Sequence, residues 1–371
     1  MGSFRLLAAD VGEHGSERAP AAVARIYHLH AFRAFAIISI VAVHALSFGV
    51  NIAPAEVMAT PPLIAMNSAV QALFHGGTLY FALISGLLYP IALRAKGVRH
   101  FYSAKVGSVV APYVFMTLLL EAFEWRAGRG LFLVEQSIWS YLAHAAAALV
   151  TGSGSFQFWY LPILFGLYLA TPLIDRLLKD RSRLPFLILL IVAPLVVTRT
   201  GSTVSAQSFV YFLGAYSLGM LIGADYAAAA AAIRKRRGAL LLTFFAASAA
   251  LGGLFAADID MAGPVSLRES AYYAQKISLG LFVLDLLRGR ERQTRWLAPI
   301  ATHSFPTYFM HVSVIAIAGR TFRAYFGQPD DVLEAFGLGL GLFAAGLGVS
   351  MLISMGMKRL LGKWARFLIG S

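Results

Sequence analysis

The sequence predicts an all-α, polytopic membrane protein with about ten transmembrane helices and one extra re-entrant or interfacial helix on the outer face. Hydrophobic residues make up 58% of the 371-residue chain and charged residues only 13%, whereas soluble domains carry about 25% charged residues. Apolar runs of about 20 residues, long enough to cross a bilayer as helices, recur from Ala31 to Ile369. Clusters of basic residues separate these runs. Lipid is therefore the expected solvent.

The positions of Lys and Arg predict a topology, because cytoplasmic loops of membrane proteins collect positive charge. Six clusters hold four basic residues each: the N-terminal region through Arg33, then 94–105, 176–183, 234–237, 288–295 and 358–366. All six fall on one side if the ten spans are 31–51, 67–93, 106–125, 157–175, 184–200, 206–225, 239–257, 267–287, 296–318 and 335–357. Both termini are then cytoplasmic, in a multi-pass protein of the cell inner membrane. This distribution explains the net charge of +13 without a nucleic-acid partner, and membrane lipids are the expected surroundings.

Segment 137–150, "SIWSYLAHAAAALV", does not fit as an eleventh crossing. It is short for a span, and counting it would place later basic clusters outside. It is the predicted extra helix. Residues 1–24 lack the apolar stretch of a signal peptide and are expected to form a mobile cytoplasmic tail, which leaves 25–371 as a single transmembrane domain. The chain contains no Cys, which excludes disulfides and thiolate nucleophiles.

Two polar residues, Arg33 and His44, interrupt the apolar run "FRAFAIISIVAVHALSF" at 32–48. Their spacing corresponds to a rise of about 16.5 Å and an offset of about 20° on an α-helix, so both point from one face, three turns apart. The predicted span directions place five ionisable groups at a common depth in the outer half of the membrane: His44, His75, Glu121, Glu124 and His311. Such groups are costly in a bilayer and indicate a cavity, a partner or a functional site.

Five segments, in order along the chain, resemble the membrane acyltransferase family 3 proteins. They are "LHAFRAFAIISIVAVHA" with Arg33 and His44, "YFALISGLL" with Ser85 and Gly86, "FYSAKVGSVVAPY" at 101–113, "FWYLPILFGLYLATPLI" at 158–174, and "HSFPTYFMH" with Ser304, Tyr308 and His311. The resemblance covers about residues 29–315 and agrees with the ten-helix count.

The resemblance implies an enzyme that transfers acyl groups other than aminoacyl groups, here O-acetylation in polysaccharide modification. The donor is a cytoplasmic acyl-CoA, with acetyl-CoA expected, and the acceptor is a hydroxyl of a glycan, a lipid-linked sugar or a related envelope molecule. Acyl-CoA is a co-substrate, and neither a tightly bound cofactor nor a metal is expected. His44 is the expected general base, since neutral imidazole is available near neutral pH. An acyl-His44 intermediate is the alternative route. Tyr308, His311 and Ser85 are candidates to orient His44 or to stabilise the oxyanion.

The donor phosphates are expected to meet cations on the cytoplasmic face: Arg33, Lys96, Arg99 and Lys105. One position departs from the family, whose third motif carries two basic residues three apart. Here the two residues are Lys105 and Ser108. Because Arg binds phosphate through a bidentate fork and Lys only as a point charge, this departure weakens the expected donor contacts, and Arg94, Lys96 and Arg99 are the candidates to compensate.

The main alternative is a proton-coupled transporter or exporter with a His/Glu relay inside the bundle. Against it, the sequence shows no paired halves with matching broken helices. A further alternative is an acyltransferase relic that modifies membrane-bound regulators or exports an acylated small molecule. Glu269 and Lys276, seven residues apart in the eighth span, are expected to pair or to line a cavity.

Overall fold

The structure is a computed structural model and describes residues 19–126, 137–199, 201–290, 292 and 294–370. Its first helices are α1 (Ala19–Asn51), α2 (Ala55–Met58), α3 (Pro61–Phe74), α4 (Thr78–Leu88), α5 (Val98–Lys105), α6 (Ala111–Arg126), α7 (Ile138–Thr151), α8 (Tyr160–Lys179) and α9 (Leu184–Val192). The later elements are α10 (Ala206–Ala224), α11 (Tyr226–Lys235), α12 (Arg237–Ala256), β1 (Met261–Ala262), β2 (Val265–Ser266), α13 (Leu267–Leu287), α14 (Leu297–Thr302), α15 (Ser304–Phe326), α16 (Val332–Leu361) and α17 (Ala365–Ile369). Short π- and 3-10 segments fill positions 89–96, 106–110, 181–183, 193–195 and 362–364. Of the predicted tail, residues 1–18 lie outside the described residues, and α1 already begins at Ala19.

Seven helical stretches are long and apolar enough to cross a membrane: Tyr27–Asn51, Pro61–Lys96, Val98–Glu124, Tyr160–Lys179, Ala206–Ala224, Arg237–Ala256 and Val332–Ile369. Two further predicted spans are helical as α13 and as α14 with α15. The predicted span 184–200 is a shorter apolar helix, Leu184–Leu195. The all-α membrane fold is confirmed, and the number of ten crossings stays a prediction.

The predicted basic clusters lie together at one end of the bundle, which we call the basic end. The contacts that join them are the ion pairs Arg94–Asp175 (2.9 Å) and Arg234–Asp285 (3.2 Å), the hydrogen bond from the Tyr27 hydroxyl to the Thr294 carbonyl (3.0 Å), and the packing of Gly107 on the Phe367 ring. Arg33 and Lys105 line one cavity there and so connect the remaining clusters. This grouping agrees with the charge pattern of the sequence, while the membrane side that it faces stays a prediction.

The second predicted span is broken in its middle. Helix α3 ends at Phe74, and α4 begins at Thr78 after a glycine with positive φ, Gly76 (φ +77°). The Gln71 amide donates to the Ser47 hydroxyl (2.9 Å), and a Cβ added at Gly77 would lie 3.1 Å from the Ile40 side chain. Residues 71–77 therefore run antiparallel to residues 40–47 of α1. This packing places His75, at the break, level with His44.

A second break separates α7 from α8. The Tyr141 hydroxyl of α7 donates to the Leu118 carbonyl of α6 (3.0 Å), and the Tyr113 hydroxyl donates to the Leu149 carbonyl (2.9 Å). Two bonds at different heights show that α7 runs along α6, which favours the re-entrant alternative over a helix lying flat on the surface. The chain then leaves helical geometry at Gly152 (φ +70°) and resumes it at Tyr160.

The core of the bundle holds a layer of buried aromatic side chains between α8, α10 and α15. They include Phe158, Tyr160, Tyr211, Phe212, Tyr216 and Phe309. Beside this layer, α4 and α10 pack backbone to backbone, because any side chain at Gly86 would overlap the Tyr216 carbonyl and any at Gly219 would overlap the Leu83 carbonyl. This close contact explains the Gly of the Ser85–Gly86 pair, and it turns Ser85 towards the neighbouring cavity.

Candidate active site

A partly open cavity of about 840 Å³ lies at the basic end. Its walls are mostly apolar and come from α1, α4, α5, segment 106–110, α8 and α15 together with the C-terminal residues. Five cationic side chains line it: Arg33, Lys105, Lys358, Lys363 and Arg366. Among the described residues, no Asp or Glu lines it. A largely apolar cavity that is lined by cations and by no carboxylate among the described residues suits a ligand that combines phosphate groups with a long, weakly polar arm.

The residues predicted for donor binding and catalysis divide into two groups. Those that line the cavity are Arg33, Ser85, Lys105 and Tyr308. Lys96 and Arg99 are exposed at the basic end and do not line it. Arg94 does not line it either, since its guanidinium is paired with Asp175. The cavity is lined instead by Lys358, Lys363 and Arg366, which the sequence analysis assigned only to topology.

The Tyr-x-x-x-Pro pattern of α8 has a local explanation at this cavity. Pro172 lacks the N–H that would bond the Tyr168 carbonyl four residues earlier in a helix. The Tyr102 hydroxyl donates to that carbonyl instead (3.4 Å). The Tyr168 ring then lies beneath the Lys105 ammonium, 4.6 Å from nitrogen to ring centroid, a favourable cation–π geometry. The pattern therefore holds Lys105 at the cavity wall.

His44 and His311 form a pair just beyond the inner end of the cavity. Their ring centroids are 5.2 Å apart, and the Phe156 ring lies edge-on to His44 at 5.5 Å. His44 is half-buried and His311 is fully buried. The spacing of Ser304, Tyr308 and His311 puts these three on one face of α15. His44, His75 and His311 therefore lie at one depth, as predicted.

The two acidic residues predicted at the same depth lie elsewhere. A Cβ added at Gly154, in the α7–α8 break, would meet Thr117 of α6 at 2.9 Å, so the break is level with Thr117. Glu121 and Glu124 follow Thr117 by four and seven residues, which corresponds to roughly 6 and 10 Å along α6. They lie beyond the His level, towards the end opposite the basic end.

Hydrogen bonds define the tautomer of His311. Its Nδ1 lies 2.9 Å from the Thr307 carbonyl oxygen and 3.0 Å from the Tyr308 carbonyl oxygen, and a carbonyl can only accept. The proton therefore resides on Nδ1. Nε2 is left as a buried acceptor with no hydrogen-bond partner among the described residues. An unpaired basic nitrogen beside His44 is a group that can hold or pass a proton.

Tyr308 separates the cavity from the His pair. Its hydroxyl donates to the carbonyl of Gln157 in the α7–α8 break, and the Gln157 amide donates to the Phe309 carbonyl (2.9 Å). The Tyr308 ring lines the cavity on one side and lies 6.1 Å from the His311 ring on the other. Neither His44 nor His311 lines the cavity itself. The break segment thus connects the cavity wall with the His level.

Tyr160 is a site residue to which the sequence analysis gave no role in the site. It is the first residue of α8, its side chain lines the cavity, and only 2% of it is exposed. Its hydroxyl has no hydrogen-bond partner among the described residues. A buried hydroxyl without a partner costs about 1–3 kcal/mol, so this donor is available for a ligand. No pattern in a single sequence separates it from its aromatic neighbours.

Arg199 is a second residue whose environment the sequence did not indicate. The predicted span 184–200 places it at the outer end of that span, yet its side chain is 2% exposed. It donates to both carboxylate oxygens of Glu269 (3.0 and 3.3 Å) and to Nε2 of His75 (2.7 Å). Glu269 is therefore paired with Arg199 and not with Lys276. The Lys276 ammonium instead donates to the Leu73 carbonyl (2.7 Å), where α3 breaks off.

A comparison with known protein families finds one match that covers most of the chain. The family model described as an acyltransferase domain matches residues 26–355. No curated protein and no solved structure matches this chain. The match includes most of α1 with Arg33 and His44, both helix breaks, and the cavity walls apart from the C-terminal residues. It ends before Lys358.

Proposed function

Because this chain belongs to membrane acyltransferase family 3, an enzyme family, we propose that it is an O-acyltransferase that carries an acyl group from cytoplasmic acyl-CoA to a hydroxyl of a glycan or lipid-linked sugar. Acetyl-CoA is the proposed donor. The protein is proposed to reside in the cell inner membrane with the basic end in the cytoplasm.

One observation carries this proposal: Tyr160 and Tyr308 line a largely apolar cavity with five cations at the basic end, and the Tyr308 ring lies 6.1 Å from His311, the partner of His44. Acyl-CoA combines anionic phosphates with an arm that ends in a thioester. Phosphates at Arg33 and Lys105 would direct that arm into the apolar part of the cavity. The acceptor would approach His44 from the other end, where Phe156 is exposed.

In the proposed reaction His44 acts as general base. The neutral imidazole takes the proton of the acceptor hydroxyl while the hydroxyl oxygen attacks the thioester carbonyl carbon. The tetrahedral intermediate expels the CoA thiolate, which takes up that proton from the imidazolium. His311 is proposed as a positioning residue, because its tautomer is fixed by two backbone carbonyls. For the reaction to occur, the Tyr308 side chain must move away from the line between thioester and His44.

The oxyanion of the intermediate needs a hydrogen-bond donor at the inner end of the cavity. The Tyr160 hydroxyl is proposed for this role because it is buried, lines the cavity and has no partner among the described residues. The Tyr308 hydroxyl is less suited, since it already donates to the Gln157 carbonyl. Ser85 lines the same cavity and is the second candidate.

The test uses purified protein in lipid nanodiscs with acetyl-CoA labelled in the acetyl group. We expect transfer of label to a glycan acceptor, and loss of the transfer by about 10²- to 10⁴-fold in His44→Ala, the range for removing a general base. Label that stays covalently on the wild-type protein when acceptor is withheld would favour the acyl-His44 route.

A matched variant is Ser47→Ala, which lies one turn beyond His44 on α1 and does not line the cavity. It should transfer label at nearly the wild-type rate. Wild-type protein that binds no acyl-CoA and transfers no label would overturn the proposed function. Unchanged turnover in His44→Ala would overturn only the role of His44.

A further inference from the structure

The last residues of the described chain form part of the cavity wall. Helix α16 ends at Leu361, Gly362 takes a positive φ (+54°), and the short helix α17 follows after a 3-10 turn at 362–364. Ala365 and Ile369 of α17 are completely buried, with at most 1% of either exposed. The segment is therefore a fixed part of the bundle, and its polar side chains have a defined direction.

Helix α17 packs on the stretch that carries Lys105 and Ser108. A Cβ added at Gly107 would lie 3.1 Å from the Phe367 ring, and one added at Gly370 would lie 3.2 Å from the Ser108 carbonyl oxygen. Ser108 itself contributes no charge, and its hydroxyl donates to the Ala104 carbonyl (2.7 Å). The C-terminal segment thus lies next to Ser108, the neutral residue at a position that is basic in the family's third motif.

Three of the five cations that line the cavity come from this segment: Lys358, Lys363 and Arg366. No salt bridge neutralises them among the described residues. The carboxylate of α8, Asp175, is paired with Arg94 and Lys179 (2.9 Å each). Cations that face a cavity and lack a counter-ion form a site for an anion, and Arg is suited to phosphate because its planar fork bonds two oxygens.

These three cations lie outside the residues that the family model matches, which end at 355. We propose that Lys358, Lys363 and Arg366 form a phosphate-binding subsite for the nucleotide part of acyl-CoA, added to the cavity by this chain's own C-terminal segment. The inference rests on the proposed function and names residues of donor recognition that the matched region does not contain.

The experiment compares two donors, acetyl-CoA and acetylpantetheine, which has the same thioester arm and no phosphate. Wild-type protein should have a lower KM for acetyl-CoA. In Lys363→Ala/Arg366→Ala the KM for acetyl-CoA should rise about tenfold or more, the usual loss for charge-assisted hydrogen bonds. The KM for acetylpantetheine and kcat with both donors should stay unchanged, because the reacting atoms lie at the other end of the cavity.

Arg359→Ala is the matched control, since Arg359 belongs to the same basic cluster, is exposed and does not line the cavity. It should keep the wild-type KM for both donors. Equal loss with both donors in the double variant, or loss with neither, overturns the subsite.

A lipid headgroup carries the same phosphate chemistry as the donor. The comparison is therefore repeated in nanodiscs of zwitterionic lipid and in nanodiscs with anionic phosphatidylglycerol. The proposal expects the same selective KM effect in both. An effect seen only with anionic lipid assigns the cations to the membrane and overturns the proposal.

Direct binding separates this inference from the proposed function. The affinity for CoA itself, measured by calorimetry without any transfer, should fall in the double variant and not in Arg359→Ala. Wild-type protein that binds CoA through these cations but transfers no acyl group would contradict the proposed function alone. Transfer with an unchanged CoA affinity in the double variant would contradict the subsite alone.

Discussion

At the scale of single residues, hydrogen bonds assign the protons of His311 and His75, and the Tyr160 hydroxyl has no partner among the described residues. Nδ1 of His311 faces two carbonyl oxygens, so it carries the proton and Nε2 is basic. Nε2 of His75 accepts from Arg199, which can only donate, so the proton of the neutral His75 ring resides on Nδ1. The Tyr160 hydroxyl has neither donor nor acceptor around it among the described residues. Of these three, His311 and Tyr160 adjoin the cavity end.

We expect Tyr160→Phe to lower kcat by about 10²- to 10³-fold, the usual effect of removing one donor to an oxyanion. The KM for the donor should change little, because Phe preserves the ring that lines the cavity. Steady-state kinetics with acetyl-CoA measure both constants.

Tyr168→Phe is the control for this change, since Tyr168 lines the same cavity and its ring alone contacts Lys105. It should keep kcat near the wild-type value. A Tyr160→Phe enzyme with wild-type kcat would assign the oxyanion to another donor, with Ser85 next to be tested.

Arg199 shows how a residue can be misplaced from sequence. A basic residue at the end of an apolar span reads as a loop residue on charge statistics. In the structure it stacks on Trp159 at 5.2 Å and on Tyr211 at 5.5 Å while pairing with Glu269. Its partners are 70 residues or more away in sequence. Only packing could reveal this pair, and leaving either charge alone would be strongly destabilising.

At the scale of elements, two helices break at the level of the His pair. Non-helical backbone at membrane depth persists where protein groups satisfy it. Here Lys276 bonds the Leu73 carbonyl at the end of α3, and Tyr308 bonds the Gln157 carbonyl in the break before α8. The sequence analysis found no paired halves with matching broken helices and used this against a transporter. The breaks do occur, and in this acyltransferase they bring His75 and residues 152–159 to the His level.

The close crossing of α4 and α10 gives a prediction for Gly86→Ala. The added methyl group would overlap the Tyr216 carbonyl, and backbone cannot rotate away as a side chain can. Overpacking of this kind costs about 1–3 kcal/mol. We expect a lower temperature of thermal unfolding in detergent, with shifted positions of Ser85 and hence lower activity.

Gly252→Ala is the comparison for Gly86→Ala. Gly252 lies in the apolar helix α12, where an added Cβ meets nothing within 4 Å, and Ala is the better helix former. Its unfolding temperature should equal or exceed that of the wild type. Equal unfolding temperatures for the two variants would show that α4 and α10 do not pack this closely.

At the scale of the whole molecule, charge and cavity share one end. The basic clusters meet there, and the cavity is lined at the same end by Lys105, Lys358, Lys363 and Arg366. The positive-inside rule predicts that the cavity mouth faces the cytoplasm, where the proposed donor acyl-CoA is present. The proposed use of a cytoplasmic donor therefore requires that the basic end faces the cytoplasm.

Single Cys residues can test this sidedness, because the chain has no Cys of its own. Ser182→Cys lies at the basic end and Ala262→Cys in the β1–β2 hairpin, and both positions are exposed. We expect a membrane-impermeant maleimide to label Ser182→Cys in inverted vesicles only and Ala262→Cys in right-side-out vesicles only.

The Cys-free parent protein is the blank for this labelling. If both positions were labelled from the same side, an odd number of crossings would be missing or added between residues 182 and 262. The predicted spans 184–200, 206–225 and 239–257 would then need revision.

The amino-acid sequence alone determined the membrane class, most helix positions, the grouping of basic residues and the shared face of Arg33 and His44. These depend on composition and on the helical period, which are local properties of the chain. The tertiary structure decided which groups meet: Tyr308 with Gln157 across 151 residues, Arg199 with Glu269, and the C-terminal cations with Lys105. It also decided that Lys96 and Arg99 do not line the cavity. Such contacts arise from the packing of helices on one another. The periodicity of one helix shows which face is buried but does not identify the helix that packs against it.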